Sequence, residues 1–300
     1  MILHSYIKVN SLSWIQSLLV LAAIFLVAGV SPAHAQLGLG LVPMRVELKM
    51  APGQQYSGSL KLSNQSDAKS RVRSEVLDFN IDETTTPQFE RDLPQEAATS
   101  CKRWLTINPM EIELDASGFL NVRYTIQVPK DVAEGSYNCA AGFTTLAPSQ
   151  TQESGMGVRM AVRIVAAIYV VIGKPAVNGS LKEIKLEKLT PAKDAPPDAP
   201  VWQAVVVLQN AGKMYYRPIG KLEVLDTDGK SVETAEFPSL AVLRERNQRF
   251  LLPLKTHLEA GNYKLRVRVD IGTGEIQEGT VDVTVEKPMA ALSSDSKNGK

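Results

Sequence analysis

Histidine is almost missing from this chain. Three occur in 300 residues, and since His4 and His34 fall in the first 35 positions, His257 is the one imidazole in the rest. Histidine-based metal clusters and nucleophile–base pairs therefore lack their parts. His257 itself lies in a turn ahead of Tyr263, where the expected role is a solvated side chain. No glycine-rich cradle joins a strand to a helix, as phosphate binding would need. Acidic pairs such as Asp226 and Asp228 in VLDTDGK suit a hairpin turn better than general acid–base work. The expectation is a non-enzyme with no catalytic residue, no metal and no cofactor.

Long apolar runs are equally scarce. The only one, LLVLAAIFLVAGV over 18–30, follows Lys8 and precedes Ala33-His34-Ala35. A charged start, a short apolar run and an A-x-A site describe a secretory signal peptide over 1–35, with a mature chain from about Gln36; the other reading is a retained anchor. Removing the leader removes one basic residue and no acid, leaving 32 of each sign. A neutral chain without a basic cluster offers no electrostatic footprint to nucleic acid and no polybasic segment to anionic lipid. Arg71 with Arg73, and the RERNQR run over 244–249, are read as solvated faces. Export to a soluble periplasmic pool is the expected localisation, with the cell-envelope surface as the alternative.

Two cysteines remain, Cys101 and Cys139. In an oxidising compartment an even pair points to a disulfide, which across a loop of this length would add about 4 kcal/mol. Two free buried thiols are the alternative. A catalytic thiol would have no base nearby.

What the chain does have is alternation. From Met156 to Ile172 every even position is apolar, while Arg159 and Arg163 take odd ones. Period two marks a strand, and at about 3.3 Å per residue this one could run roughly 55 Å, more than one sheet edge needs. Further strands are expected over 42–50, 57–64, 71–81, 101–107, 118–129 and 131–145, with an exposed loop over 82–100. After Gly173-Lys174-Pro175 the pattern restarts, over 181–189, 201–210, 220–228, 249–254, 263–271 and 279–286. Short strands with turn signals between them argue for antiparallel sandwiches.

The halves share an apolar-x-x-Gly-x-Tyr frame, ending at Tyr137 and at Tyr263. That spacing fits a tyrosine corner, a glycine turn followed by a hydroxyl that bonds back to the upstream backbone. The fold expected is all-β: two immunoglobulin-like β-sandwich domains after a cleaved signal peptide. They would occupy 36–173 and 174–287, with a disordered tail over 288–300.

The first half resembles a known family, the periplasmic chaperones of pilus assembly (PapD-like). The likeness covers roughly 40–172. It lies in Pro43 and Arg45 of the first strand, a strand ending at Asn64, the WLTINPMEIELDASGFLNVRYTIQVP block over 104–129, the EGSY turn and the long alternating strand. The resemblance implies a chaperone that lends its last strand to secreted, β-rich pilin-like subunits. Val158, Met160, Val162 and Ile164 would be the donated residues, a form of β-augmentation. It further implies Arg45 as an anchor for a subunit's C-terminal carboxylate, which calls for a pair of charge-assisted donors. The family's second donor, a lysine late in the last strand, falls here at or near Ala166. An outer-membrane usher would be a further partner, and an open apolar edge invites self-association. The competing reading is a structural or adhesive envelope protein whose exposed loops carry recognition.

Overall fold

The computed structural model describes residues 38–286 except 83–84, 95–97, 147–160, 191–192, 195 and 197–198. The expected signal peptide, the tail, and the beginning of the long strand with Val158 and Met160 lie outside the described residues.

The first half forms two facing sheets. One has the order β1 (Leu39–Val42), β3 (Gln55–Asn64), β8 (Phe119–Gln127), β6 (Leu105–Asn108). The other runs β2 (Arg45–Met50), β10 (Arg163–Ile172), β9 (Gly135–Thr145), β4 (Ser70–Ile81), β5 (Pro87–Glu90), with β7 (Glu111–Leu114) also on β4. The expected strand over 42–50 is two strands in different sheets. Pro43 has no N–H for the ladder, so pairing with β3 stops there and the chain crosses over. The expected loop over 82–100 carries β5, held by Phe89, whose ring stacks on Phe79 at 4.9 Å.

Alternation becomes burial directly. Leu60 and Leu62 of β3, Val122 and Ile126 of β8, Phe143 of β9 and Ile168 and Val170 of β10 all turn inward with no exposed surface. Cys101 and Cys139 join within that core as a disulfide. Tyr137 packs on Trp104 with ring centres 4.7 Å apart, and its hydroxyl donates to the Ala133 carbonyl at 2.9 Å.

The second half is a smaller sandwich. Its sheets are β11 (Gly179–Lys188), β12 (Trp202–Asn210), β15 (Arg246–Leu254), and β14 (Ser231–Glu236), β13 (Ile219–Leu225), β16 (Gly261–Asp270), β17 (Ile276–Val285). Phe250, Leu208, Leu222 and Leu265 fill its core. Asp226 makes the β13–β14 turn by accepting from the N–H groups of Asp228 and Lys230. The Tyr263 hydroxyl donates to the Glu259 carbonyl at 3.1 Å, and His257 is exposed.

Side chains close both seams of this sandwich. The Gln277 amide on β17 accepts from the Leu181 N–H at 2.8 Å and donates to the Gly179 carbonyl at 2.9 Å, standing in for a strand neighbour of β11. Across the molecule the Glu233 carboxylate accepts from the N–H groups of Lys255 and Thr256, both at 2.8 Å. Exposed strand edges invite unwanted pairing, and such clips blunt them. Gln277→Leu should therefore lower stability by about 1–3 kcal/mol, the cost of orphaning partly buried backbone groups, as read from urea unfolding. An unchanged midpoint would show the clip to be idle.

Both faces of β10 are covered from Ala166 onward. Ala166, Ile168, Val170 and Ile172 enter the first core; Tyr169 and Val171 enter a second apolar cluster with Leu77, Phe79, Tyr215 and Leu243. A strand buried on both sides reads as a continuous apolar run, which accounts for AAIYVVI. That second cluster lies between the sandwiches. Polar bonds reinforce it: the Ser136 N–H donates to the Lys213 carbonyl at 2.8 Å, the Tyr215 N–H to the Ser136 hydroxyl at 3.0 Å, and the Gln248 amide to the Asp82 carbonyl at 3.2 Å.

Two charged features separate here. Arg71 and Arg73 are exposed and pair with Glu111 and Glu113 on β7. The RERNQR run, in contrast, is not a solvated face throughout: the Arg244 side chain is only 12% exposed and lies over the Tyr137 ring at 5.1 Å, bridging the sandwiches.

Candidate functional site: an open strand edge beside an interdomain cleft

Strand β10 has unequal neighbours. β9 pairs with it along its whole length, from Arg163 opposite Thr144 to Ile172 opposite Gly135. β2 begins only at Ala167, opposite Arg45. Over Arg163–Ala166 no strand is hydrogen-bonded to the outer edge among the described residues, although β1 runs close to β10.

Hydrogen-bond phase decides which groups that edge presents. The Ala167 N–H donates to the Met44 carbonyl at 3.0 Å. In a strand both backbone groups of one residue point the same way, and successive residues alternate. Odd residues of β10 therefore address the β2 side and even ones address β9. Arg163 and Val165 lie where β2 has not yet started, so their N–H and C=O groups aim off the sheet. Val162 agrees with the phase, bonding to Thr145 in both directions at 2.9 Å.

The side chains at this edge are fixed from behind. Ile164 is partly buried against the first core. Arg163 donates to the Phe89 carbonyl at 3.0 Å and stands 3.8 Å from Glu75, a carboxylate that also accepts from the Thr144 hydroxyl at 2.9 Å. Of the four residues expected to be donated, Val162 and Ile164 thus stand at the open end of β10, and the other two precede the described part.

The far end of the same seam is a cleft between the sandwiches, about 560 Å³ in volume, lined by Arg45, Arg217, Ile219 and Phe237 among others. Arg45 comes from β2 and Arg217 from the segment before β13. Both reach one carboxylate: the Nε of Arg45 lies 3.4 Å and that of Arg217 3.3 Å from Glu47 Oε1. One acid between two guanidiniums leaves a net positive charge. Arg217 also lies over the Tyr169 ring at 4.9 Å and donates to the Ser239 carbonyl at 3.3 Å, so it is held in place. Burial, then the charge of Glu47, pushes the Tyr215 hydroxyl well above its ordinary range; burial raises Tyr169 against the opposing pull of Arg217. Both tyrosines stay neutral, and the cations are the charged donors available.

Position 166 is a fully buried alanine and supplies no cation. The second cation near Arg45 is Arg217, which sequence reasoning missed. Nothing in the period of the strands marks it, because it comes from the other sandwich and meets Arg45 only through the packing of Tyr215 on Tyr169, with ring centres 4.7 Å apart. Among the described residues no group of three or more His, Cys, Asp or Glu could hold a metal ion, and no helix is long and apolar enough to cross a membrane.

No protein-family model matches the chain, and no curated protein matches it. Solved structures do. The class 5 fimbriae chaperone CfaA has a TM-score of 0.41 and 10% identity over 84% of this chain and 100% of its own. The E. coli chaperone DraB has 0.38 and 15% over 83% and 98%. A chain from the Salmonella enterica SafA pilin–SafB chaperone complex has 0.39 and 12% over 83% and 96%. At TM-scores of 0.38–0.41 and identities of 10–15% the likeness carries no argument about role or domain arrangement, and the two β-sandwiches rest on the strand pairings themselves.

Proposed function

We infer that the protein is a periplasmic chaperone of the pilus or fimbrial assembly type, which holds secreted β-rich subunits by pairing them with the open edge of β10. It acts without catalysis, and its two units divide between 173 and 174. The observation carrying this reading is the half-open strand. β10 is locked by β9, the first core and the second sandwich over its C-terminal half, yet offers free backbone groups at Arg163 and Val165. The contrast with the second sandwich supports it, since seams there are clipped by Gln277 and Glu233. Where the second sandwich clips its seams, an edge of the first left with unpaired backbone groups is one that a partner strand can use.

Main-chain bonds to β10 would supply affinity, and the alternating side chains Val158, Met160, Val162 and Ile164 would fill pockets in the client. A client's terminal carboxylate would enter the cleft between Arg45 and Arg217, with the second guanidinium doing the work of the family's lysine. Arg217→Ala should then weaken client binding about tenfold to a hundredfold, as expected for a hydrogen bond to a charged group of roughly 1.5–3 kcal/mol. A client with an amidated C-terminus should lose at least that factor with the native chaperone and less with the variant, where Arg45 alone remains to hold the carboxylate. Full affinity in Arg217→Ala would remove the carboxylate anchor from the account.

A further inference from the structure

A second pocket lies on the junction, where β2 ends. It has a volume of about 630 Å³, with apolar walls from Met50, Pro52, Val171, Pro175 and Met214. Lys49 and Lys174 stand at it, and no acidic residue lines it. Neither ammonium is paired with a carboxylate among the described residues. The Glu134 carboxylate accepts from the Lys174 backbone N–H at 3.4 Å. Two cations over an apolar floor of this size suit an occupant that has an apolar body and a negative charge.

The adjoining backbone says what kind of occupant. The phase that Ala167 sets on β10 also fixes β2: Val46, Leu48 and Met50 face β10, so the N–H and C=O groups of Arg45, Glu47 and Lys49 point off the sheet. β2 is the terminal strand of its sheet among the described residues. A small amphiphile would leave those groups unused, whereas an extended chain would bond to them. The geometry points to a second docking edge, at which an extended peptide segment lies along the end of β2 with a carboxylate side chain between Lys49 and Lys174 and an apolar neighbour on Met50, Val171 and Met214. This site is separate from the β10 edge and would let one protein engage two segments of a client.

The test uses the full mature protein and a fluorescein-labelled, C-terminally amidated peptide, Ser-Val-Asp-Leu-Thr, read by anisotropy, with a lysine-for-aspartate peptide as control. Saturable binding that weakens with salt is expected for the acidic peptide. The Lys49→Glu/Lys174→Glu double variant, whose changes are on exposed side chains, should bind it about tenfold or more weakly and reverse the preference between the two peptides. Val165→Pro should leave the affinity unchanged. The inference is overturned by binding that survives the double charge reversal, by an absence of saturable binding, or by loss on Val165→Pro, which would place the peptide on β10. Displacement by decanoate as effectively as by unlabelled peptide would also overturn it, marking a site for small amphiphiles.

Discussion

Replacing Val165 with proline should abolish client capture while leaving the protein folded. Proline deletes an N–H, and the phase of β10 aims that N–H at the open edge rather than at β9. The pairings of Ile164 with Phe143 and of Ala166 with Ala141 on the other side are untouched, and edge positions are where sheets accept proline. A client strand laid along Arg163–Ala166 would lose a main-chain bond and meet the pyrrolidine ring. The predicted loss is a hundredfold or more, about 2.7 kcal/mol, against a stability change under about 1 kcal/mol. Ile164→Pro is the control with the opposite signature. It removes a bond to β9 and should cost about 3 kcal/mol of folding stability. If the two variants lost client equally, phase would not matter and the edge would not be the binding element.

Disulfide removal should have the largest effect on folding. Cys101 and Cys139 are 38 residues apart and fully buried in the first core, so opening the loop should cost about 4 kcal/mol. Neighbouring bonds converge on the same place: Asp78 accepts from the Ser100 hydroxyl at 2.6 Å and the Leu93 N–H at 3.0 Å, and the Cys101 N–H donates to the Asn138 carbonyl at 3.2 Å. These tie the segment ahead of β6 to β4 and β9. Since β9 backs β10 throughout, a Cys101→Ala/Cys139→Ala variant should unfold at markedly lower urea and bind client only where it remains folded. A loss below about 1 kcal/mol would mean that the polar bonds hold the segment unaided.

Much of the fold could be read from period two, because alternation and burial are the same fact seen twice. Leu60, Val122, Ile126 and Ile168 appear in the sequence as every second residue and in the structure as one core. Short edge strands escaped that reading. Glu111–Leu114 has two buried positions, Ile112 and Leu114, too few for a period, and Ser231–Glu236 is a polar edge. Partners distant in sequence escaped as well. Arg45 could be picked out in its strand, but Arg217 becomes its neighbour only when the sandwiches pack through Tyr169 and Tyr215. The open edge over Arg163–Ala166 follows from where β2 starts, and that depends on Pro43 moving the chain between sheets.

The most direct test is to isolate the tagged protein from its own cells under mild conditions, beside its Val165→Pro variant, and to identify by mass spectrometry what accompanies each. Strand capture predicts a stoichiometric, small, β-rich secreted partner with the native protein and none with the variant. A native protein that comes out alone, or bound to envelope material alike in both preparations, would contradict it.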